Sequence, residues 1–252
     1  MLLFAFVCVS AYTILSLVVG GRLIRRGLPA RALPELLMGL AYFSAPGLGY
    51  PMVVSGNALK EAACSSELLG AGHFLIALGC TFFFFFNARV FRGQSPLART
   101  FAGACSLVLA IASFEIVRAH AAVGSEYLGL ASVRSAMATM LCVLGIMYSW
   151  TAFEGYRHHA LMRRRARVGL GDPIVANRFL LWAFAGSFQV VADCCSAWSL
   201  YRGADMSLDP VSILGTSLVG VANSVLLVLI FMPPARYVRW LTRGPRGALA
   251  PA

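Results

Sequence analysis

Asp193 is the residue whose chemistry is hardest to ignore. It interrupts an apolar run over 179–201 that holds no other charge. Carboxylates inside a bilayer are costly, and by default they mark a ligand, an ion or a proton site. Counting ~1.5 Å per residue from Arg178, Asp193 lies ~21 Å along its helix, in the outer third of a membrane. Glu115 falls at a similar depth, with Arg118 one turn on, and His73 and Arg134 lie near the same level. These five residues are expected to form a ligand-binding, outward-facing polar cavity. The plainer alternatives are a snorkelling Glu115–Arg118 pair, an Arg134 just outside its span, and an Asp193 that caps or pairs with a neighbouring arginine. Glu35 and Arg178 open two other helices at the opposite side. They are expected either to pair as a gate or to serve the helix dipole and topology. Pro46, Gly47, Gly49 and Pro51 interrupt a helix at the depth of Asp193, and broken helices line sites in many transporters.

The elements that position these residues are membrane helices. Of 252 residues, 59% are hydrophobic and 12% are charged, about half the usual charge. That excludes a disordered chain, a nucleic-acid-binding domain and an ordinary cytosolic enzyme. Charge-poor runs give spans at about 2–21, 35–57, 68–88, 99–120, 133–155, 177–201 and 210–232, each near the ~20 residues that cross a bilayer. The runs are continuous rather than alternating, so helices and not barrel strands are expected. The fold class is all-α: a single seven-helix transmembrane domain, with 233–252 a short basic tail.

Seventeen of the 21 lysine and arginine residues follow spans one, three, five and seven. The positive-inside rule then puts the N-terminus outside and the C-terminus in the cytoplasm of a cell (inner) membrane. No basic stretch precedes the first apolar run, so it reads as a retained anchor rather than a signal peptide. Arg163, Arg164, Arg165 and Arg167 suit anionic lipid head groups, not nucleic acid. Lys60 is the only lysine, so the last span offers no amine for a retinal Schiff base.

Other residue types read as packing. The run Phe82 to Phe86 points all round a helix and is expected to face lipid. Trp150, Trp182 and Trp240 are expected in an interfacial belt. The seven cysteines form no Cys-x-x-Cys pair, so no cofactor or metal site is signalled. Cys64 could meet Cys194 or Cys195 in a disulfide on the oxidising side. No catalytic constellation occurs, and the chain is not expected to be an enzyme.

Two segments repeat. The stretch from Arg22 through Gly27 and Pro29 to Leu37 is similar to that from Arg163 through Gly169 and Pro173 to Leu181. Ala88–Arg92 is similar to Ala235–Arg239. The offsets, about 143 and about 147, fit one duplication of three spans around a linker span. This 3+1+3 plan resembles, in architecture only, the SWEET sugar transporters and PnuC-type vitamin carriers. Separately, LPELLMGL from Leu33, GLGYP from Gly47 to Pro51, RVFR from Arg89 to Arg92 and GLGDPIVANRFLLW from Gly169 to Trp182 resemble an uncharacterised family of bacterial seven-helix membrane proteins. That resemblance implies no activity and transfers no site residue. The expected function is a small-solute carrier or permease with a small-molecule ligand. The alternatives are a ligand-binding sensor that signals through a protein partner, or a structural subunit of a membrane complex.

Overall fold

The computed structural model describes residues 2–59, 64–124, 129–204, 206 and 209–242. Among them there are helices and no strands. Helix α1 covers Leu2–Ala30. The second span comprises α2 (Leu33–Tyr42), a π-helical segment (Phe43–Gly49) and α3 (Tyr50–Ala58). Then come α4 (Ser65–Arg92), α5 (Pro96–Val123), α6 (Ala131–Arg167), α7 (Pro173–Tyr201), α8 (Pro210–Phe231) and the short α9 (Ala235–Thr242). Seven of these units are long and apolar enough to cross a membrane, so the protein is a multi-pass integral membrane protein.

The helices outrun the expected spans. Charge alone ended span one at 21 and span five at 155, yet α1 continues to Ala30 and α6 to Arg167. Arginine is a good helix former, so the helix does not stop where the hydrocarbon does. The starts of α5, α7 and α8 follow a local rule. Ser95, Asp172 and Asp209 each cap the helix with a side-chain oxygen, and Pro96, Pro173 and Pro210 follow at the first turn. Proline costs nothing there because its missing N–H would be unpaired anyway. The tail is partly helical, and Tyr237 of α9 accepts a hydrogen bond at its hydroxyl from Asn177 Nδ2 (2.6 Å).

The spans pack as a ring in chain order. Each touches the next, and α8 returns to α1. Helix α4 sits deepest, against span two, α5 and also α6. This corrects the expectation for the phenylalanine run. Phe83 and Phe84 are buried and Phe82, Phe85 and Phe86 are half-buried, because α4 has neighbours on most sides. Trp182 likewise leaves the interfacial belt and packs inside the bundle.

The expected interruption of span two takes a particular form. Pro46 has no N–H, and its ring clashes with the carbonyl four residues back. The chain does not break. It winds into wider π turns, seen in the Tyr50 N–H that donates to the Ala45 carbonyl five residues back. This wider segment lies against α4 at Gly79, where an added Cβ would stand 2.6 Å from both the nitrogen and the Cβ of Ala45. Small residues let membrane helices approach until backbones touch.

The first repeat match keeps the same local structure in both copies: a basic helix end, a tight connection and a new helix start. In the second, Ala88–Arg92 ends α4 whereas Ala235–Arg239 lies in the separate α9.

Gly79→Ala should therefore destabilise the bundle, by about 1–3 kcal/mol. Gly103, on α5, has nothing within 4 Å of a Cβ, and Gly103→Ala should stabilise by about 0.5–1 kcal/mol. Thermal unfolding in detergent checks both signs.

Candidate functional site

A cavity of about 50 Å³ lies inside the ring. Span one contributes Tyr12, span two Tyr42, Ala45 and Pro46, span three Gly79, Cys80 and Phe83. Spans five, six and seven contribute Tyr148 and Thr151, Trp182 and Gln189, and Asn223. The π-helical turn therefore forms part of its wall. The volume holds a few waters.

Its polar groups form a chain. Asn223 Nδ2 donates to Gln189 Oε1 at 3.3 Å. Gln189, four residues before Asp193 and so one helical turn away, bonds the Asp193 carboxyl in turn. Two acceptors end this chain without a partner: Asn223 Oδ1 and Asp193 Oδ2, both buried. Asp193 pairs with no cationic side chain among the described residues. It is within electrostatic reach of Cys80 and Tyr148, which line the cavity.

Aromatic rings separate this chain from the arginine-rich end. Trp182 stacks on Phe86 at 5.8 Å and meets Phe231 edge-on at 5.8 Å. Phe83 and Tyr42 complete the cluster at 6.1 and 6.5 Å from Trp182. By helical rise, Trp182 and Phe86 stand one to two turns closer to the arginines than Gln189 does.

The other residues expected in one cavity lie apart from it. Arg118 forms a two-pronged pair with Glu115 at 2.7 and 3.0 Å on the exposed side of α5. Arg134 is exposed and donates to the Leu200 carbonyl at 3.0 Å, so it caps the end of α7. His73 is buried on α4 with Nδ1 unpartnered. None of the four lines the cavity, and neither does Asp193, which stands one turn beyond the lining residue Gln189. Glu35 and Arg178 are both exposed and form no ion pair with each other. All seven cysteines are free, Cys64, Cys194 and Cys195 included.

The sequence reading missed a second polar centre, at the arginine-rich end. Glu154 on α6 is 1% exposed. It accepts from Arg92 Nε at 2.6 Å and from Arg157 at 3.2 Å, and His158 Nδ1 lies 3.7 Å from it. One turn earlier Asn87 Nδ2 donates to Thr151 Oγ1 at 2.9 Å, with Asn87 Oδ1 unpartnered. A polar seam thus joins α4 to α6 and ends at the cavity wall through Thr151. The signal was available: a lone acid three and four residues before Arg157 and His158 puts them on one helix face.

Asp209, just outside span seven, was also overlooked. It accepts from the Ser199 hydroxyl, from Arg202 and from the Val211 and Ser212 amides. Its pKa is held below the ordinary aspartate value of 3.8, first by the Ser199 hydroxyl and then by the Ser212 amide, Arg202 and the Val211 amide, against opposing desolvation.

Compared with protein families, with curated proteins and with solved structures, the chain matches none.

Glu154→Gln should lower thermal stability, and Arg92→Gln should add little in that background. A double-mutant cycle should show coupling of about 1 kcal/mol; zero coupling would mean that the pair is incidental. Asp209 stabilises the folded state above its unfolded pKa, and that share is lost as pH falls through the lowered folded value. The difference in melting temperature between wild type and Asp209→Asn should thus be full at neutral pH and shrink below about pH 4, where the unfolded aspartate also takes its proton.

Proposed function

We propose that the protein is a carrier for a small polar solute, with the mid-membrane cavity as its binding site in a closed state. One observation carries this reading: a cavity inside a seven-helix ring, walled by a π-helical turn and ending a chain of buried polar groups that runs towards Asp193. Transporter sites are commonly built near the bilayer midplane, next to irregular helix segments. A π segment is a deformable place in a helix and recurs at functional sites. The aromatic cluster around Trp182 serves as the inner gate, the role expected of Glu35 and Arg178. The reading is of a binding and transport protein rather than an enzyme. The arginine-rich end faces the cytoplasm of a cell (inner) membrane, where it meets anionic lipid, and the N-terminus lies outside.

A sensor is the second reading, favoured by α6. Its 37 residues reach about 55 Å, well beyond a ~30 Å hydrocarbon core. That length presents Arg157 to Arg165 to a partner.

Cys80 is a native reporter, since it lines the cavity and is 4% exposed. In a chain with the other six cysteines replaced, a carrier should expose Cys80 to a membrane-impermeant thiol reagent from each side in turn. Labelling confined to one side under all conditions would favour the sensor. Asp193→Asn should reduce flux in proteoliposomes at least tenfold with normal expression; unchanged flux would remove Asp193 from the site.

A further inference from the structure

We infer that α9 is a membrane-surface helix whose outer face binds anionic phospholipid, with Arg236 and Arg239 on the phosphates and Trp240 inserted beside them. This goes beyond the carrier reading and does not rest on it. The residues of α9 divide by side. Tyr237, Val238 and Leu241 are half-buried, and α9 packs on α7, where Asn177 Nδ2 donates to the Tyr237 hydroxyl at 2.6 Å. Arg236, Arg239 and Trp240 are exposed. They stand at i, i+3 and i+4, so they share one face of the helix. Trp240 leaves 69% of its surface uncovered, although its ring stacks on Tyr237 at 6.0 Å.

Position names the occupant. Helix α8 ends at Phe231, whose ring packs on Trp182 inside the bundle. Pro233 and Pro234 cannot continue its hydrogen-bond ladder, and α9 begins at Ala235. The chain from Phe231 to Ala235 reaches at most about 14 Å. The head-group layer is about 5–7 Å thick on each side of the hydrocarbon, so α9 cannot lie far from it. The bond to Asn177, in the second turn of α7, holds it there. Charge and shape agree with that level. Helix α9 carries no acid, and neither arginine pairs with one among the described residues. Guanidinium groups match phosphate in two-pronged bonds. Phosphatidylcholine brings its own countercharge, so net-anionic head groups fit better. An indole beside the arginines offers an apolar ring to acyl chains and an N–H to head groups. A basic face with an aromatic anchor is the pattern of interfacial helices.

Trp240 itself is the probe. The full chain is placed in nanodiscs of phosphatidylcholine alone or mixed with phosphatidylglycerol, and the emission of Trp240 is read as the difference between wild type and Trp240→Phe. With phosphatidylglycerol present, acrylamide should quench that emission at least twofold less than in phosphatidylcholine alone. Lipid brominated on the upper acyl chain should quench it at least twofold. Arg236→Gln together with Arg239→Gln should return acrylamide quenching to the phosphatidylcholine level. Arg163→Gln together with Arg165→Gln removes the same charge elsewhere and should change nothing. The proposal is overturned if Trp240 is equally open to acrylamide in both discs, if brominated lipid leaves it unquenched, or if the two double variants behave alike. A Trp240 left open in phosphatidylglycerol discs would instead make this face a docking surface for an acidic protein.

Discussion

Lipid offers helices neither hydrogen bonds nor a hydrophobic drive to associate, so this bundle depends on how closely its backbones can fit. The tightest constraint lies between span two and α4, where Gly79 admits Ala45 to a distance that no side chain would allow. The same stretch of span two must absorb Pro46. A regular α-helix through this point would have to bend away from α4 or lose a hydrogen bond in hydrocarbon. The π turn resolves both demands, because it lengthens the hydrogen-bond ladder without opening it. Its wider bore brings Ala45 and Pro46 to the cavity wall.

The polar groups inside the ring follow a division by depth. Towards the arginine-poor end stands the Asn223–Gln189–Asp193 chain. Towards the arginines stand Asn87, Thr151 and Glu154, with Arg92 and Arg157 reaching in from the surface. The rings of Tyr42, Phe83, Phe86, Trp182 and Phe231 lie between the two. Asp193 and Glu154 are thus opposite cases of a carboxylate in a membrane protein. Glu154 has its countercharges built in and ties α4 to α6. Asp193 has none among the described residues.

The seven crossings were legible in the sequence because scarcity of charge is a direct consequence of hydrocarbon. So was Asp193, as a charge deep in an apolar run. The helix ends were not, since arginine permits helix outside the bilayer and a count of charges does not register the Ser-Pro and Asp-Pro starts. Facing was the larger loss. Depth along a helix follows from counting, but azimuth depends on which neighbours surround it. Depth alone groups Glu115, Arg118 and Arg134 with Asp193, yet they turn outward or cap a helix end. Phe83 and Trp182 read as lipid-facing and interfacial in the sequence because nothing in it shows that α4 is central and that Trp182 packs against its rings. Gln189 and Asn223 carry no charge, so a search for charges could not find them, although an amide in each of two adjacent apolar spans was a readable sign.

Helix α6 has a mechanical consequence. Tyr148 touches the cavity, while Arg167 ends the helix nineteen residues further on, about 28 Å away by helical rise. A straight helix of that length is a lever with its fulcrum in the bilayer. A tilt of about 5° at Tyr148 displaces its far end by about 2–3 Å, on the order of known helix shifts in switching proteins. The Arg92–Glu154 bond grips this lever about two turns from the fulcrum, where a small change of angle moves it least. Any tilt of α6 about Tyr148 is therefore largest at the row of arginines at its far end.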